Sequence, residues 1–314
     1  MTQTPVLDAQ FGPFIEALAQ MPALSSRTPA DARAMWDAAV YGTPEPVAHV
    51  RSLAIPVAGT SVAARLYAPE TRPTALIVYY HGGGWVLGSL ETHDLPLRAL
   101  VNQTGAAILS VDYRLAPEYP FPSGLEDCYA ALVWAKERQA ELTGGTGPLL
   151  VAGDSAGGNL AGVVALLARD RKGPKIDCQL LIYPVIDGRC DTPSYTQRAQ
   201  GGLLTSQDMR WFWNQYIADP PKRLDPYASP CMANRHSDLP PAIVVIAEFD
   251  PLRDEGASYA EQLRGAGNDV TVLRYATLPH FFFNTLYLVK AAGEAFREMA
   301  QHVCRAIDAA GGRT

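Results

Sequence analysis

The segment Gly153-Asp154-Ser155-Ala156-Gly157 places one serine hydroxyl between two glycines. A nucleophilic serine must stand clear of the chain at the tip of a sharp, strained turn. Side chains two residues before and after it would collide with the crossing backbone, and glycine at both positions removes that collision. The pentapeptide alone recurs by chance. Its setting gives it weight. Leu149–Ala152 reads as a buried strand and Asn159 onward as a helix, so Ser155 falls on a strand–turn–helix junction. The helix N-terminus beneath it favours developing negative charge.

A second motif, His81-Gly82-Gly83-Gly84-Trp85, directly follows the apolar run Ala75–Tyr80. Glycines at a strand end let backbone N–H groups approach a ligand closely. Gly83 and Gly84, with Ala156 as third donor, are the candidates for an oxyanion hole. The other reading of a glycine run is a phosphate cradle. Neither Gly-x-Gly-x-x-Gly nor Gly-x-x-x-x-Gly-Lys-Ser/Thr is present here. His81 reads as a brace for the loop.

A serine hydroxyl needs a base, and the base needs an orienting carboxylate. In this kind of junction the chain order is Ser, then Asp or Glu, then His. The histidines after Ser155 are His236, His280 and His302. His302 lies in the C-terminal helical pattern and reads as a surface residue. His236 sits in a polar loop before a strand. His280 follows the apolar run Val270–Tyr275 by a short loop and is the candidate base. Asp250 stands just after the run Ala242–Ala247, at the strand end where ligand chemistry collects in open α/β sheets. It is the candidate orienter, with Glu248 as the weaker choice. Asp254 and Glu255 read as the acidic opening of the next helix.

These residues need a scaffold. The runs Ala75–Tyr80, Ala106–Val111, Leu149–Ala152, Gln179–Tyr183, Ala242–Ala247 and Val270–Tyr275 are mostly continuous in apolar residues, as parallel strands buried on both faces are. Helical patterns such as Leu125–Glu141 and Asn159–Arg169 alternate with them. The reading is an α/β sheet flanked by helices on both sides. Ile55–Val57 with Arg65–Tyr67 add antiparallel strands at one edge. Leu286, Val289, Phe296, Met299, Val303 and Ile307 recur at helical spacing and form the last helix, stopped by Gly311 and Gly312.

Two segments exceed a minimal alternating sheet. In the first, about residues 1–45, Thr28-Pro29-Ala30-Asp31 reads as a capped helix start, followed by an apolar face of Met35, Trp36 and Val40. The second lies between Tyr183 and Ala242. There Trp211, Phe212, Trp213 and Tyr216 fall on a helix after Thr205. The two segments are expected to pack together as a helical cap, formed by about residues 1–45 and 186–225 of a single 314-residue domain.

Together the motifs resemble the bacterial hormone-sensitive-lipase-like esterases of the α/β-hydrolase superfamily. The resemblance rests on four ordered motifs between about Leu66 and His280. They are His81-Gly82-Gly83-Gly84-Trp85, Asp112-Tyr113-Arg114-Leu115-Ala116-Pro117-Glu118, Gly153-Asp154-Ser155-Ala156-Gly157-Gly158 and Asp250-Pro251-Leu252-Arg253-Asp254-Glu255-Gly256. The resemblance implies an α/β-hydrolase fold with a cap. It also implies hydrolysis of carboxylic esters with short to medium acyl chains, no cofactor and a homodimer. Tyr113–Glu118 reads as structural support. The family commonly has glycine after the catalytic histidine, whereas Phe281, Phe282 and Phe283 follow here. Those rings are either core anchors for the last helix, or Phe281 lines the substrate pocket. Trp85, Phe281 and Trp213 are the pocket candidates. An amidase or deacetylase with the same triad, and a non-catalytic small-molecule receptor, are the alternatives.

Bulk properties narrow the setting. Apolar residues make up 48% and charged residues 18%, a globular balance. The net charge of −6 and the lack of a basic stripe argue against a nucleic-acid partner. No apolar run reaches membrane-spanning length, and Met1–Gln20 lacks the basic start of a secretory signal, so a cytoplasmic protein is expected. Five scattered cysteines suit free thiols rather than disulfides, and no cluster suggests a metal.

Overall fold

Runs such as Leu76–Tyr80 and Ala107–Val111 carry no polar face, so they are stable only inside a sheet covered on both sides. The computed structural model, which describes residues 5–39, 42–198 and 200–312, places them there. Its strands are β1 (His49–Val57), β2 (Thr60–Ala68), β3 (Leu76–Tyr80), β4 (Ala107–Val111), β5 (Leu149–Asp154), β6 (Cys178–Ile182), β7 (Ala242–Phe249) and β8 (Val270–Pro279). They form one sheet in the order β1-β2-β4-β3-β5-β6-β7-β8. β2 runs antiparallel to β1 and β4, and the remaining pairings are parallel.

The helices α1 (Gly12–Ala19) and α2 (Pro29–Asp37) precede the sheet. α3 (Asp94–Thr104) crosses from β3 to β4, and α4 (Ser123–Glu137) with α5 (Gln139–Thr143) from β4 to β5. α6 (Ala156–Asp170) follows β5. α7 (Pro193–Gln197) and α8 (Ser206–Tyr216) lie between β6 and β7, α9 (Arg253–Gly265) between β7 and β8, and α10 (Lys290–Gly311) after β8. One apolar layer holds Leu100 of α3 with Phe296, Met299 and Val303 of α10. The opposite layer holds Leu132 of α4, Val164 of α6 and Leu263 of α9. This is the α/β-hydrolase fold.

Two helical readings need correction. The pattern Leu125–Glu141 is broken at Arg138, whose backbone leaves helical geometry (φ −106°, ψ 13°). Beyond it the Gln139 amide turns to donate to Gly147 O at 2.7 Å. Leu286 and Val289 are buried but lie before α10, because Leu286 ends a short 3₁₀ turn and Val289 is extended. Their spacing reported burial rather than helix.

The two extra segments meet. Thr28 caps α2 by accepting from Asp31 N–H at 3.2 Å. Thr205 caps α8 in a reciprocal box with Asp208, with bonds of 3.0 and 3.1 Å. The Gln207 amide of α8 donates to Ser25 Oγ at 2.8 Å, joining the segments. Met35 and Trp36 lie on α2, whereas Val40 falls outside the described residues. Among the described residues no helix is long and apolar enough to cross a membrane.

Candidate active site

Ser155 sits between β5 and α6 in a left-handed conformation, φ 55° and ψ −118°. The strain is held by two backbone bonds. Ser155 N–H donates to Ile182 O at 2.8 Å, and Val185 N–H donates to Ser155 O at 3.2 Å. A Cβ on Gly157 would run into Tyr80 O, and one on Gly153 into the Gly157 carbonyl. The glycines are therefore required by close backbone approach.

Asp250 and His280 arrive together through strand pairing. β7 and β8 extend past their purely apolar runs, and Phe249 pairs with Pro279 across a register shift. The residues that directly follow the two strand ends are Asp250 and His280. His280 Nδ1 lies 2.6 Å from Asp250 Oδ2, and His280 Nε2 lies 3.0 Å from Ser155 Oγ. Asp250 Oδ1 accepts from Leu252 N–H at 2.8 Å, which fixes the carboxylate. The three residues are 1, 6 and 8% exposed for Asp250, His280 and Ser155. In the tautomer with its proton on Nδ1 facing Asp250, the imidazole would present the Nε2 lone pair to the Ser155 hydroxyl.

The glycine loop is placed by β3, whose Tyr80 pairs with Gly153 of β5. Residues 81–84 therefore run alongside residues 154–156. Gly84 has φ +60°, and a Cβ there would lie inside the Phe212 ring of α8. Ala156 opens α6, where the first-turn N–H groups have no intrahelical acceptor. Beneath the loop, Asp154 Oδ1 receives three groups: Tyr79 OH at 2.7 Å, Gly82 N–H at 2.9 Å and His93 Nε2 at 3.1 Å. Burial pushes the Asp154 carboxyl upward, but His93, Tyr79 and Gly82 outweigh it and hold it below the usual range. His81 is buried and stacked on Tyr113 at 4.3 Å, and burial lowers its pKa to about 3.

The sequence matches the α/β-hydrolase fold family over residues 77–284. It is 44% identical over 265 residues to carboxylic ester hydrolase LipN of Mycobacterium tuberculosis, covering 82% of this chain and 70% of that one. It is 38% identical over 241 residues to an ethyl acetate hydrolase of Pseudomonas putida, covering 75% of this chain and 76% of the other. The crystal structure of a thermostable esterase from Pseudomonas putida superposes with a TM-score of 0.90 at 37% identity, covering 98 and 99% of the two chains. The chain belongs to the hormone-sensitive-lipase-like esterases of the α/β-hydrolase fold. Within this hydrolase the remaining sequence candidates find other partners. Glu248 is engaged by Arg253 at 2.9 Å and Arg274 at 2.6 Å. His236 Nε2 lies 2.9 Å from Pro230 O. His302 on α10 is half-buried rather than fully exposed.

The pocket candidates separate. Trp85 and Trp213 are buried against each other, ring centroids 4.6 Å apart, and Trp85 also stacks on Tyr216 at 4.3 Å. Phe212, placed on this helix by its sequence but not among the pocket candidates, is the α8 ring lying over Gly84. Its neighbours Trp211 and Trp213 carried the same aromatic signal, and only the helix rotation distinguishes them. Phe282 and Phe283 are core anchors, with Phe283 stacked on Phe296 at 5.2 Å. Phe281 is half-buried and turns instead toward Trp36 of α2, centroids 5.0 Å apart. Tyr113–Glu118 ties elements together. Tyr113 OH donates to His81 O at 2.8 Å, and the Arg114 guanidinium pairs with Asp127 at 2.6 Å. A surface hollow of about 510 Å³ beside Arg51 and Glu141 shares no residue with this site. Among the described residues no group of three or more His, Cys, Asp or Glu side chains could hold a metal ion.

Glu255 does more than open α9. It is buried, and Oε1 accepts from Ile186 N–H at 2.7 Å and Asp187 N–H at 3.4 Å. It thus ties the segment after Asp250 to the loop whose Val185 holds the Ser155 backbone. Burial raises its pKa well above 4.5, with Asp187 adding to the rise and the backbone N–H groups opposing it. A carboxyl kept neutral in the fold contributes stability at low pH that is lost as pH rises above its unfolded value. Glu255→Gln keeps the acceptor and removes this loss. Its stability relative to wild type should increase as pH rises above about 4.3. Glu255→Ala leaves the N–H groups unpaired and should cost about 1–3 kcal/mol. Urea unfolding of both variants across pH checks the two signs.

Proposed function

We propose that the protein hydrolyses carboxylic esters of short to medium acyl chains through an acyl-enzyme on Ser155. The observation that carries this is the unbroken hydrogen-bonded line Asp250–His280–Ser155, 2.6 and 3.0 Å long. His280 takes the Ser155 proton as Oγ bonds to the ester carbonyl carbon. Asp250 holds the imidazole tautomer and stabilises its protonated form. Gly83, Gly84 and Ala156 N–H groups receive the oxyanion. The carbon–oxygen bond to the alcohol breaks as His280 protonates that oxygen. His280 then removes a proton from water as its oxygen bonds to the acyl carbon, and returns that proton to Ser155 Oγ as the acyl–serine bond breaks and the acid leaves.

Under this reading the segments around α2 and α8 act as a cap over the site. Phe212 and Phe281 line the pocket, with Trp85 and Trp213 packed as an aromatic backing. An apolar, covered pocket accommodates a limited acyl chain, and the similarity to an ethyl acetate hydrolase supports small esters. A fluorophosphonate probe should label Ser155 covalently, as located by peptide mass mapping. Rates on p-nitrophenyl esters should peak at butyrate to octanoate and fall at palmitate. No labelling of Ser155 would remove the nucleophile assignment, and a rate that keeps rising to palmitate would remove the chain-length one.

A further inference from the structure

We propose that Phe281, backed by Trp36, limits the bulk of the alcohol half of the ester. The proposal rests on the reaction above. The group that protonates the departing oxygen is His280 Nε2, so that oxygen must come within hydrogen-bond reach of it. The carbon substituents on the oxygen therefore extend beside the loop that carries the base. Phe281 is the next residue on that loop.

Its backbone is unusual. Phe281 has φ +71° and ψ 5°, a left-handed conformation that side chains rarely adopt. Such conformations persist where the surroundings over-determine them, and they cluster at functional sites. Here Asn284 N–H donates to Phe281 O at 3.2 Å, and the ring packs edge-on against Trp36, with an interplanar angle of 66°. The left-handed turn sends Phe281 away from the core that receives Phe282 and Phe283.

Trp36 is a firm backing because α2 is anchored. Arg33, one turn earlier on the same helix face, donates to Val86 O and to Ala116 O, each at 2.8 Å. It also forms a two-pronged pair with Glu118 at 2.6 and 2.9 Å. Val86 belongs to the glycine-loop turn. α2 therefore spans from the oxyanion loop, held by Arg33, to the base loop, met by Trp36. An aromatic wall fixed at both ends cannot yield to a branched alcohol as a lone loop residue would.

The test compares kcat/KM for ethyl butyrate and tert-butyl butyrate, with ethyl octanoate as acyl control. Phe281→Gly and Phe281→Ala should raise the tert-butyl to ethyl ratio about tenfold, the scale of one well-packed apolar contact in a pocket. Trp36→Ala should raise it in the same direction. Phe281→Ala with Trp36→Ala should add little to Phe281→Ala alone, since both remove one wall. The octanoate to butyrate ratio should stay unchanged. Phe281→Gly suits the left-handed backbone, so a folding failure is not expected, and near-ultraviolet circular dichroism checks it. An active wild type whose alcohol ratio does not move, or whose acyl ratio moves instead, overturns the proposal alone. A wild type that cleaves none of these esters overturns the ester-hydrolase reading and the proposal with it.

Discussion

Ser155→Ala should lower kcat/KM for an aryl butyrate by about ten thousandfold or more, with no loss of thermal stability. The substitution removes one oxygen, whose partner is His280 Nε2 at 3.0 Å. The strained turn does not depend on that oxygen. It is held by the bonds from Ser155 N–H to Ile182 O and from Val185 N–H to Ser155 O, which alanine keeps. The same logic predicts a kinetic signature. Ser155 and His280 act as one unit, so Ser155→Ala combined with His280→Ala should be no slower than either alone. Steady-state kinetics, fluorophosphonate labelling and a thermal melt on the three variants decide the matter. A single variant within about tenfold of wild type would place the nucleophile elsewhere.

Much of this architecture was legible in the sequence because it depends on local pattern. The strands around Val78, Leu109 and Val151 announce themselves by apolar runs buried on both faces. Ser155 is marked by glycines that close backbone contact demands. Asp250 and His280 were placed by their position after strands, and the pairing of Phe249 with Pro279 is what makes those positions adjacent. Features that depend on contact between distant segments were not legible. The tie from Glu255 to Ile186 spans 69 residues, and a helix-opening acid looks alike whether buried or exposed. Phe212 over Gly84 required the rotation of α8, which three neighbouring aromatics leave ambiguous. The division of Phe281 from Phe282 and Phe283 required a left-handed φ that sequence pattern does not report.

Asp154→Ala should be the most damaging substitution that touches no reacting atom. Asp154 Oδ1 collects Tyr79 OH, Gly82 N–H and His93 Nε2 in a buried network. Removing the carboxylate takes a buried partner from Tyr79 OH and His93 and leaves Gly82 N–H only its longer bond to His93 Nε2 at 3.3 Å, at a cost of about 3 kcal/mol or more. Gly82 is the residue before the proposed oxyanion donors. Its release lets Gly83 and Gly84 drift, and a misplaced donor costs about a hundredfold in kcat. KM should change little, because those donors act chiefly on charge that forms in the transition state. Affinity for a trifluoromethyl ketone, which forms a tetrahedral adduct, should fall in parallel with kcat. Asp154→Asn keeps one acceptor and should be intermediate on both measures. The pH dependence has a definite sign. A carboxyl held below its usual range contributes stability above about pH 4 that is lost as pH falls toward its folded value. The stability gap between wild type and Asp154→Ala should therefore narrow on acidification, as read by denaturant unfolding. A gap that stays constant, or a variant with wild-type kcat, would mean that the glycine loop is held by something other than Asp154.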